Sequence, residues 1–286
     1  MKNVIIIGNC PAGISASLYT VRAGIKTTII GKGTCALDRA EKIENYYGFA
    51  EPVTGKQLSE NGISQAKRLG VEILMGEVVN LGYDDNNKFF VQTISEKYLA
   101  DSVIIATGSP RQTPNIKGLL EFEGLGVSHC SMCDGFFYKR KDIAVLGCCE
   151  YALSEATELL PIVNSISLIT NGVQPIPKMP KEIKVITTPI KEFCGDKVLE
   201  KVVFTDGTEL HVAGVFIAIG VAGSIELARK IGVITNGKTI VVNNRMATNV
   251  PGIFAAGDCT GGLSQISKAV YQGTVAGTEV VKYLKQ

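Results

Sequence analysis

The chain opens on a short apolar run, Val4–Ile7, with no alternation of polar and apolar positions. A run of that kind predicts a strand buried on both faces, as in a parallel sheet. Further strands are predicted at Lys26–Ile30, Ile143–Leu146 and Ile166–Ile169. Between them the spacing turns helical. One helix is predicted over Ala12–Ala23 and closes at Gly24. A second covers Gly55–Leu69, with Thr54 as its N-cap and Gly70 as its stop. Two more follow, over Glu150–Leu160 (ended by Pro161) and over Ser264–Leu284. The stretch TDGTEL (205–210) carries the Asp-Gly signal of a hairpin.

These elements repeat a plan. VIIIGNCPAG (4–13) and IAVLGCCEYA (143–152) each run from an apolar strand through a glycine turn into a helix. Farther on, SVIIATG, ending at Gly108, is echoed by GVFIAIG (214–220). A strand–turn–helix start with a later strand ending in glycine, used twice, predicts two Rossmann-like dinucleotide-binding domains. GIFAAGD (252–258) then returns to the pattern of the first. The expected fold is therefore α/β, with the second domain inserted in the first. The expected boundaries are 1–112 and 245–286 for the discontinuous first domain and 113–244 for the insert.

Composition narrows the function. The 286 residues carry 29 Lys plus Arg against 27 Asp plus Glu, a net charge of +2, too balanced for a nucleic-acid binder. The apolar run before Gly8 is too short for a secretion signal, and the longest such stretch, near Ala213–Gly223, is well short of the ~20 residues that cross a bilayer. A cytoplasmic protein with no membrane partner is expected. Most of the eight cysteines should then be reduced thiols. Zinc is disfavoured, because one C-x-x-C and two histidines, His129 and His211, give no second pair at ligand spacing, so no metal is expected.

Two motifs carry chemistry. In GNCPAG, Gly8 and Gly13 suit a turn whose backbone N–H groups meet a pyrophosphate, although Cys10 stands where the close-approach glycine usually lies. Alone, that turn reads equally well as tight strand–helix packing. In CSMCDG, Cys130 and Cys133 have the spacing of a reversible disulfide at the mouth of a helix, where a thiol pKa falls. Asp134 follows, a carboxyl able to deliver a proton to a leaving thiolate. A structural or half-metal C-x-x-C is the competing reading. Adjacent Cys148 and Cys149 are expected to be two small buried residues; Cys35, Cys194 and Cys259 carry no motif.

The ordered set GNCPAG (8–13), IENYYG (43–48), ATG (106–108), GVSHCSMCDGFFY (126–138), FIAIG (216–220) and GIFAAGD (252–258) resembles the low-molecular-weight thioredoxin reductases. The resemblance spans nearly the whole chain. It implies two three-layer domains, a homodimer, FAD as cofactor and thioredoxin as partner. It places Gly8, Cys10, Pro11, Ala12, Gly13, Asn45, Thr107, Gly108, Gly257 and Asp258 at the FAD. It also implies that Cys133 faces the flavin, Cys130 attacks the partner disulfide, and Asp134 is the general acid.

The second glycine turn departs from the NADPH-using pattern. It reads GCCEYA (147–152), and Tyr151 is expected to crowd a pyrophosphate there. After the next strand, Thr170, Asn171 and Gly172 stand where the family has basic residues for the 2′-phosphate. In this the chain is most similar to the ferredoxin-dependent flavin branch. Ferredoxin near about −400 mV and thioredoxin near about −270 mV make such a transfer downhill by roughly 6 kcal/mol for two electrons. Lys139, Arg140 and Lys141, with Lys178 and Lys181, are candidate residues for docking an acidic ferredoxin. Three other readings stay open: an NAD(P)H-dependent reductase with a divergent pocket, an oxygen-using dithiol oxidase, and a non-enzymatic flavin redox sensor.

Overall fold

Strand β1 (Asn3–Ile7) carries the first apolar run, and Val4, Ile5, Ile6 and Ile7 are all buried. The computed structural model describes residues 1–33, 35–108, 114–129, 131–174, 180–219, 223–237 and 239–286. By contacts the chain separates into Met1–Arg111 with Gly223–Gln286, and Gln112–Ala222.

In the first unit, β1 leads into helix α1 (Pro11–Arg22), strand β2 (Lys26–Gly31), helix α2 (Gly55–Arg68) and strand β3 (Glu72–Met75). Helix α2 begins with a reciprocal cap. Thr54 Oγ1 accepts the Gln57 N–H at 3.1 Å, and Gln57 Oε1 accepts the Thr54 N–H at 3.1 Å. An antiparallel meander follows, β4 (Val78–Tyr83), β5 (Phe89–Thr93) and β6 (Lys97–Ala100), before β7 (Ser102–Ile105) rejoins β1 in parallel.

The second unit repeats the plan. Its elements are β8 (Val127–Ser128), α3 (Ser131–Asp134), β9 (Asp142–Leu146), α4 (Glu150–Leu159), β10 (Ser165–Ile169) and β11 (Ile183–Ile186), then the antiparallel β12 (Ile190–Cys194), β13 (Lys201–Phe204) and β14 (Glu209–His211), and β15 (Gly214–Ile217). The parallel sheet runs β11–β10–β9–β15–β8. One face, with Ala144, Leu146, Val215 and Ile217, packs on Phe193, Val202 and Phe204 of the antiparallel layer. The other face, with Ile143, Val145 and Phe216, is also buried, and α4 lies on β9 and β10.

The chain returns to the first unit through α5 (Ser224–Lys230), the hairpin β16 (Thr235–Asn236) and β17 (Thr239–Ile240), strand β18 (Ile253–Ala255) and helix α6 (Ile266–Leu284). The completed sheet is β18–β7–β1–β2–β3, parallel throughout. Val4, Ile6, Ile104 and Phe254 face α1, α2 and α6 in one cluster. Ile5, Ile7, Val103 and Ile105 point the other way and are equally buried, so the sheet is covered on both sides. Phe89 of the meander packs against Gly252 at the head of β18.

The return comes at Gly223, earlier than the expected 245. The reason is packing: α5 buries Ile225, Leu227 and Ala228 and lies on β4, while β17 meets the turn after β18. Among the described residues no helix is long and apolar enough to cross a membrane.

Helices α1 and α6 touch through two glycines. A Cβ at Gly273 would strike the Ala12 carbonyl, and one at Gly277 the Ala16 carbonyl. Gly273→Val should therefore destabilise the first unit by about 1–3 kcal/mol, the usual cost of overpacking. Denaturant melts read this directly, and an unchanged midpoint would contradict the packing.

Candidate functional site

The glycine turn after β1 is built by exclusion. Gly8 has φ +114°, and a Cβ there would meet the Ala106 carbonyl at the end of β7. A Cβ at Gly13 would strike the Gly8 carbonyl. The turn is locked to both neighbouring strands: the Gly8 N–H donates to Ile30 O at 2.8 Å, and the Ala106 N–H to Ile7 O at 2.8 Å. Cys10 is the extended N-cap of α1, Pro11 fills the first helical position, and no side chain caps the helix. The N–H groups of Ala12 and Gly13 therefore face outward with the positive end of the helix dipole, as an anion site requires.

Two further segments end beside this sheet edge. Thr107 follows β7, and its buried hydroxyl has no hydrogen-bond partner among the described residues. Gly108 has φ +81° with open space where a Cβ would lie. After β18, Gly257 has φ +89° and donates its N–H to Gln272 Oε1 at 2.9 Å. Asp258 Oδ1 is buried without a hydrogen bond, 3.7 Å from Lys268 Nζ. An outward helix N-terminus, an unpartnered threonine hydroxyl and an aspartate oxygen in one unit fit a pyrophosphate carrying a polyhydroxyl chain. The Asn45 amide donates to Gln265 Oε1 at 3.2 Å just ahead of α6. Lys268 and Gln272 order the loop after β18 from α6, and Gln265 holds Asn45; none was foreseen, and their one shared signal is that they lie at one helix start.

Cys10 is not a lone substitute for glycine, and Cys35 is not a bystander. The two form a disulfide with their Cα atoms 5.6 Å apart. The expectation of mostly reduced thiols thus fails for this pair, while Cys148, Cys149, Cys194 and Cys259 are free thiols. Strands β1 and β2 pair in parallel with Ile7 beside Ile30, so the segments that follow them emerge side by side. Cys259, by contrast, is buried and directs its sulfur at Ile105 O and Ala256 O.

In the second unit, Cys130 and the side chain of Cys133 lie outside the described residues. The turn α3 that holds Cys133 is pinned to α4 by carboxylates: the Ser131 N–H donates to Glu155 Oε2 at 3.1 Å and Ser131 Oγ to Glu158 Oε2 at 2.8 Å. Asp134 Oδ2 accepts Ser128 Oγ at 2.7 Å. Burial, and then the charge of Asp134, push the Tyr138 hydroxyl pKa up, so Tyr138 stays protonated. His129 Nε2 lies 3.4 Å from Glu123 Oε1, in keeping with a polar surface neighbour. Glu155 and Glu158 were missed because nothing in their helix spacing marks them.

The second glycine turn copies the first. A Cβ at Gly147 would meet the Ala218 carbonyl, and the Gly147 N–H donates to Ile169 O at 2.9 Å. Cys148 and Cys149 remain thiols, and burial followed by Cys149 raises the Cys148 pKa. Tyr151, expected to crowd this turn, is 2% exposed, among the largest fully buried side chains. Glu150 places a negative charge in the first turn of α4. Thr170 is buried, and Asn171 Oδ1 accepts the Ile190 N–H at 2.7 Å. No Lys or Arg occurs in 170–174. Among the described residues no three His, Cys, Asp or Glu side chains cluster as metal ligands.

Residues 2–273 match the family described as pyridine nucleotide-disulphide oxidoreductase. The thioredoxin reductase of Aquifex aeolicus is 34% identical over 99% of this chain and 93% of its own length. The crystal structure of the atypical thioredoxin reductase TRi from Desulfovibrio vulgaris Hildenborough superposes with TM-score 0.94 at 36% identity, covering 100% of this chain and 98% of that one. A ferredoxin-flavin thioredoxin reductase from Clostridium acetobutylicum gives TM-score 0.73 at 30% identity, over 99% of this chain and 98% of that one.

Burial pushes the Cys259 thiol from 9.0 up to about 12. The folded chain thus holds this proton more tightly than the unfolded chain. Below the unfolded value both states are protonated, and the thiol's contribution is fully present. Between 9.0 and about 12 only the unfolded state ionises, so stability is lost as pH rises. The loss is up to about 1.4 kcal/mol per pH unit. Urea melts at increasing alkaline pH should show this slope in the wild type and lack it in Cys259→Ala. Equal slopes would contradict the burial.

Proposed function

Because this chain belongs to the pyridine nucleotide-disulphide oxidoreductase family, we propose that it reduces thioredoxin through Cys130 and Cys133 with ferredoxin as electron donor. It is a thioredoxin-reductase-like flavoprotein disulfide oxidoreductase, and its cofactor is FAD. When bound, FAD supplies a centre that takes electrons one at a time and passes on a pair. In this reading the turn at 8–13 holds its pyrophosphate: the Ala12 and Gly13 N–H groups and the α1 dipole meet the phosphates, while Gly8, Cys10 and Pro11 shape the approach. Thr107 and Gly108 line the same edge, Asp258 and Gly257 bind the polyhydroxyl chain, and Asn45 lies near the flavin.

Cys130, as thiolate, attacks the thioredoxin disulfide and forms a mixed disulfide. Cys133 then attacks the Cys130 sulfur, so the chain's dithiol becomes a disulfide and thioredoxin leaves as a dithiol. Two electrons and two protons pass to thioredoxin in all. Asp134 delivers a proton to the leaving sulfur, and Ser128 fixes that carboxyl.

The observation that carries the donor assignment lies at the start of α4 and the end of β10. Glu150 would repel a pyrophosphate, and among 170–174 no cation stands where a 2′-phosphate would need one. Lys139, Arg140, Lys141 and Lys181 are exposed and offer a basic face to an acidic ferredoxin; Lys178 lies outside the described residues. The tight turn at Gly147, built like that at Gly8, favours the second reading, an NAD(P)H-dependent reductase. The homodimer is part of the same proposal.

Anaerobic mixing decides between the two donors. Reduced ferredoxin should bleach the flavin absorbance, and NADPH and NADH should not; bleaching by NADPH as fast as by ferredoxin would overturn the donor. Cys133→Ser should keep FAD and lose thioredoxin reduction, and Asp134→Asn should slow it by about a hundredfold or more. Sustained turnover in Cys133→Ser would remove the mechanism.

A further inference from the structure

The disulfide between Cys10 and Cys35 takes no part in the mechanism above, yet it sits in the turn that fits the FAD pyrophosphate. We propose that this pair is a reversible thiol–disulfide switch that sets how tightly the chain holds FAD. The proposal rests on FAD as the cofactor, and its physiological reductant alone rests on the thioredoxin reading.

The first argument is mechanical. The bridge joins the N-cap of α1 to the segment four residues past the end of β2, closing a loop with a sequence separation of 25. Cys35 in turn caps a 3-10 turn over Ala36–Arg39, and its N–H donates to Asp38 Oδ2 at 2.7 Å. That segment abuts the start of α2, where the Gly55 N–H donates to Ala40 O at 2.7 Å and a Cβ on Gly55 would strike the Leu37 carbonyl. The disulfide therefore ties the anion-binding end of α1, through residues 35–40, to α2. Opening it frees the turn from one of its supports.

The second argument is electrostatic. As a disulfide, Cys10 is neutral. As a free thiol at a helix N-cap it ionises readily, because the outward N–H groups and the helix dipole favour a thiolate. Those are the same N–H groups that a pyrophosphate needs. The reduced chain would set a second negative charge against the bound one, so the oxidised state holds FAD and the reduced state releases it.

The chemistry balances with a protein dithiol of the thioredoxin class as reductant. Its thiolate attacks the Cys10 sulfur, the more exposed of the two, and Cys35 leaves and takes a proton. The reductant's second thiol resolves the mixed disulfide and releases Cys10. One disulfide in the chain becomes two thiols, and the reductant's two thiols become one disulfide. A well-reduced thioredoxin pool would in this way turn down the enzyme that reduces it.

The test uses the full-length, FAD-loaded protein carrying Cys130→Ser and Cys133→Ser, so that no other dithiol responds. Dithiothreitol is added without oxygen, alkylation and mass spectrometry report Cys10 and Cys35, and free-flavin fluorescence reports FAD affinity. Reduction should weaken FAD binding by about tenfold or more, equivalent to one unfavourable charge contact, and diamide should restore it. Adding Cys35→Ser, which leaves Cys10 a permanent thiol, should give a protein with the weaker FAD affinity of the reduced state whether or not dithiothreitol is present. Equal affinity with both thiols alkylated, or a bridge that resists dithiothreitol in the native protein, would overturn the switch. A protein that binds FAD in neither state would overturn the cofactor assignment with it. Redox-dependent affinity here, together with no thioredoxin turnover by the wild-type protein, would support the switch and sink only the thioredoxin reading.

Discussion

The constraint on which this structure depends is a meeting of backbones at the end of β1 that leaves no room for a Cβ. Gly8 lies against the Ala106 carbonyl, Gly13 against the Gly8 carbonyl, and Gly273 against the Ala12 carbonyl. Each contact draws two elements together: β1 to β7, α1 to β1, and α6 to α1. Their sum fixes where α1 begins and turns its first N–H groups outward. The Thr107 hydroxyl and Asp258 Oδ1 are then left buried without hydrogen-bond partners among the described residues. Such groups are costly in a protein interior unless a ligand satisfies them. The site is thus a product of close packing rather than of special side chains.

The same contact occurs once more, at Gly147 and the Ala218 carbonyl, but the chemistry around it differs. In the first unit no acidic residue stands in the opening turn of α1. In the second, Glu150 stands in the opening turn of α4, Cys149 caps it, and the Asn171 amide is engaged by the Ile190 N–H. One backbone plan thus carries two different electrostatic surfaces.

Much of this was legible in the sequence, because the pattern reports the local elements directly. Val4–Ile7 and Ile143–Leu146 have no alternation, which only a doubly covered strand explains, and Thr54 with Gln57 announces its helix. What stayed hidden depends on which elements become neighbours. The Cys10–Cys35 bridge follows from the parallel register of β1 and β2, and thiol counting gives no access to a register. The return at Gly223 follows from α5 finding its cover on β4. Tyr151 was read from its place in a motif, which carries no signal of its near-complete burial. Gln272, Lys268, Glu155 and Glu158 act across gaps that no local pattern spans.

The central claim is that the backbone cradle at Gly8 and Gly13 holds one FAD. It is tested most directly by unfolding a weighed amount of purified protein and measuring the flavin released. The account predicts one FAD per chain for the wild type, and a folded but colourless protein for Gly13→Val. A folded wild-type protein that releases no flavin, or a Gly13→Val protein that keeps its full complement, would contradict it.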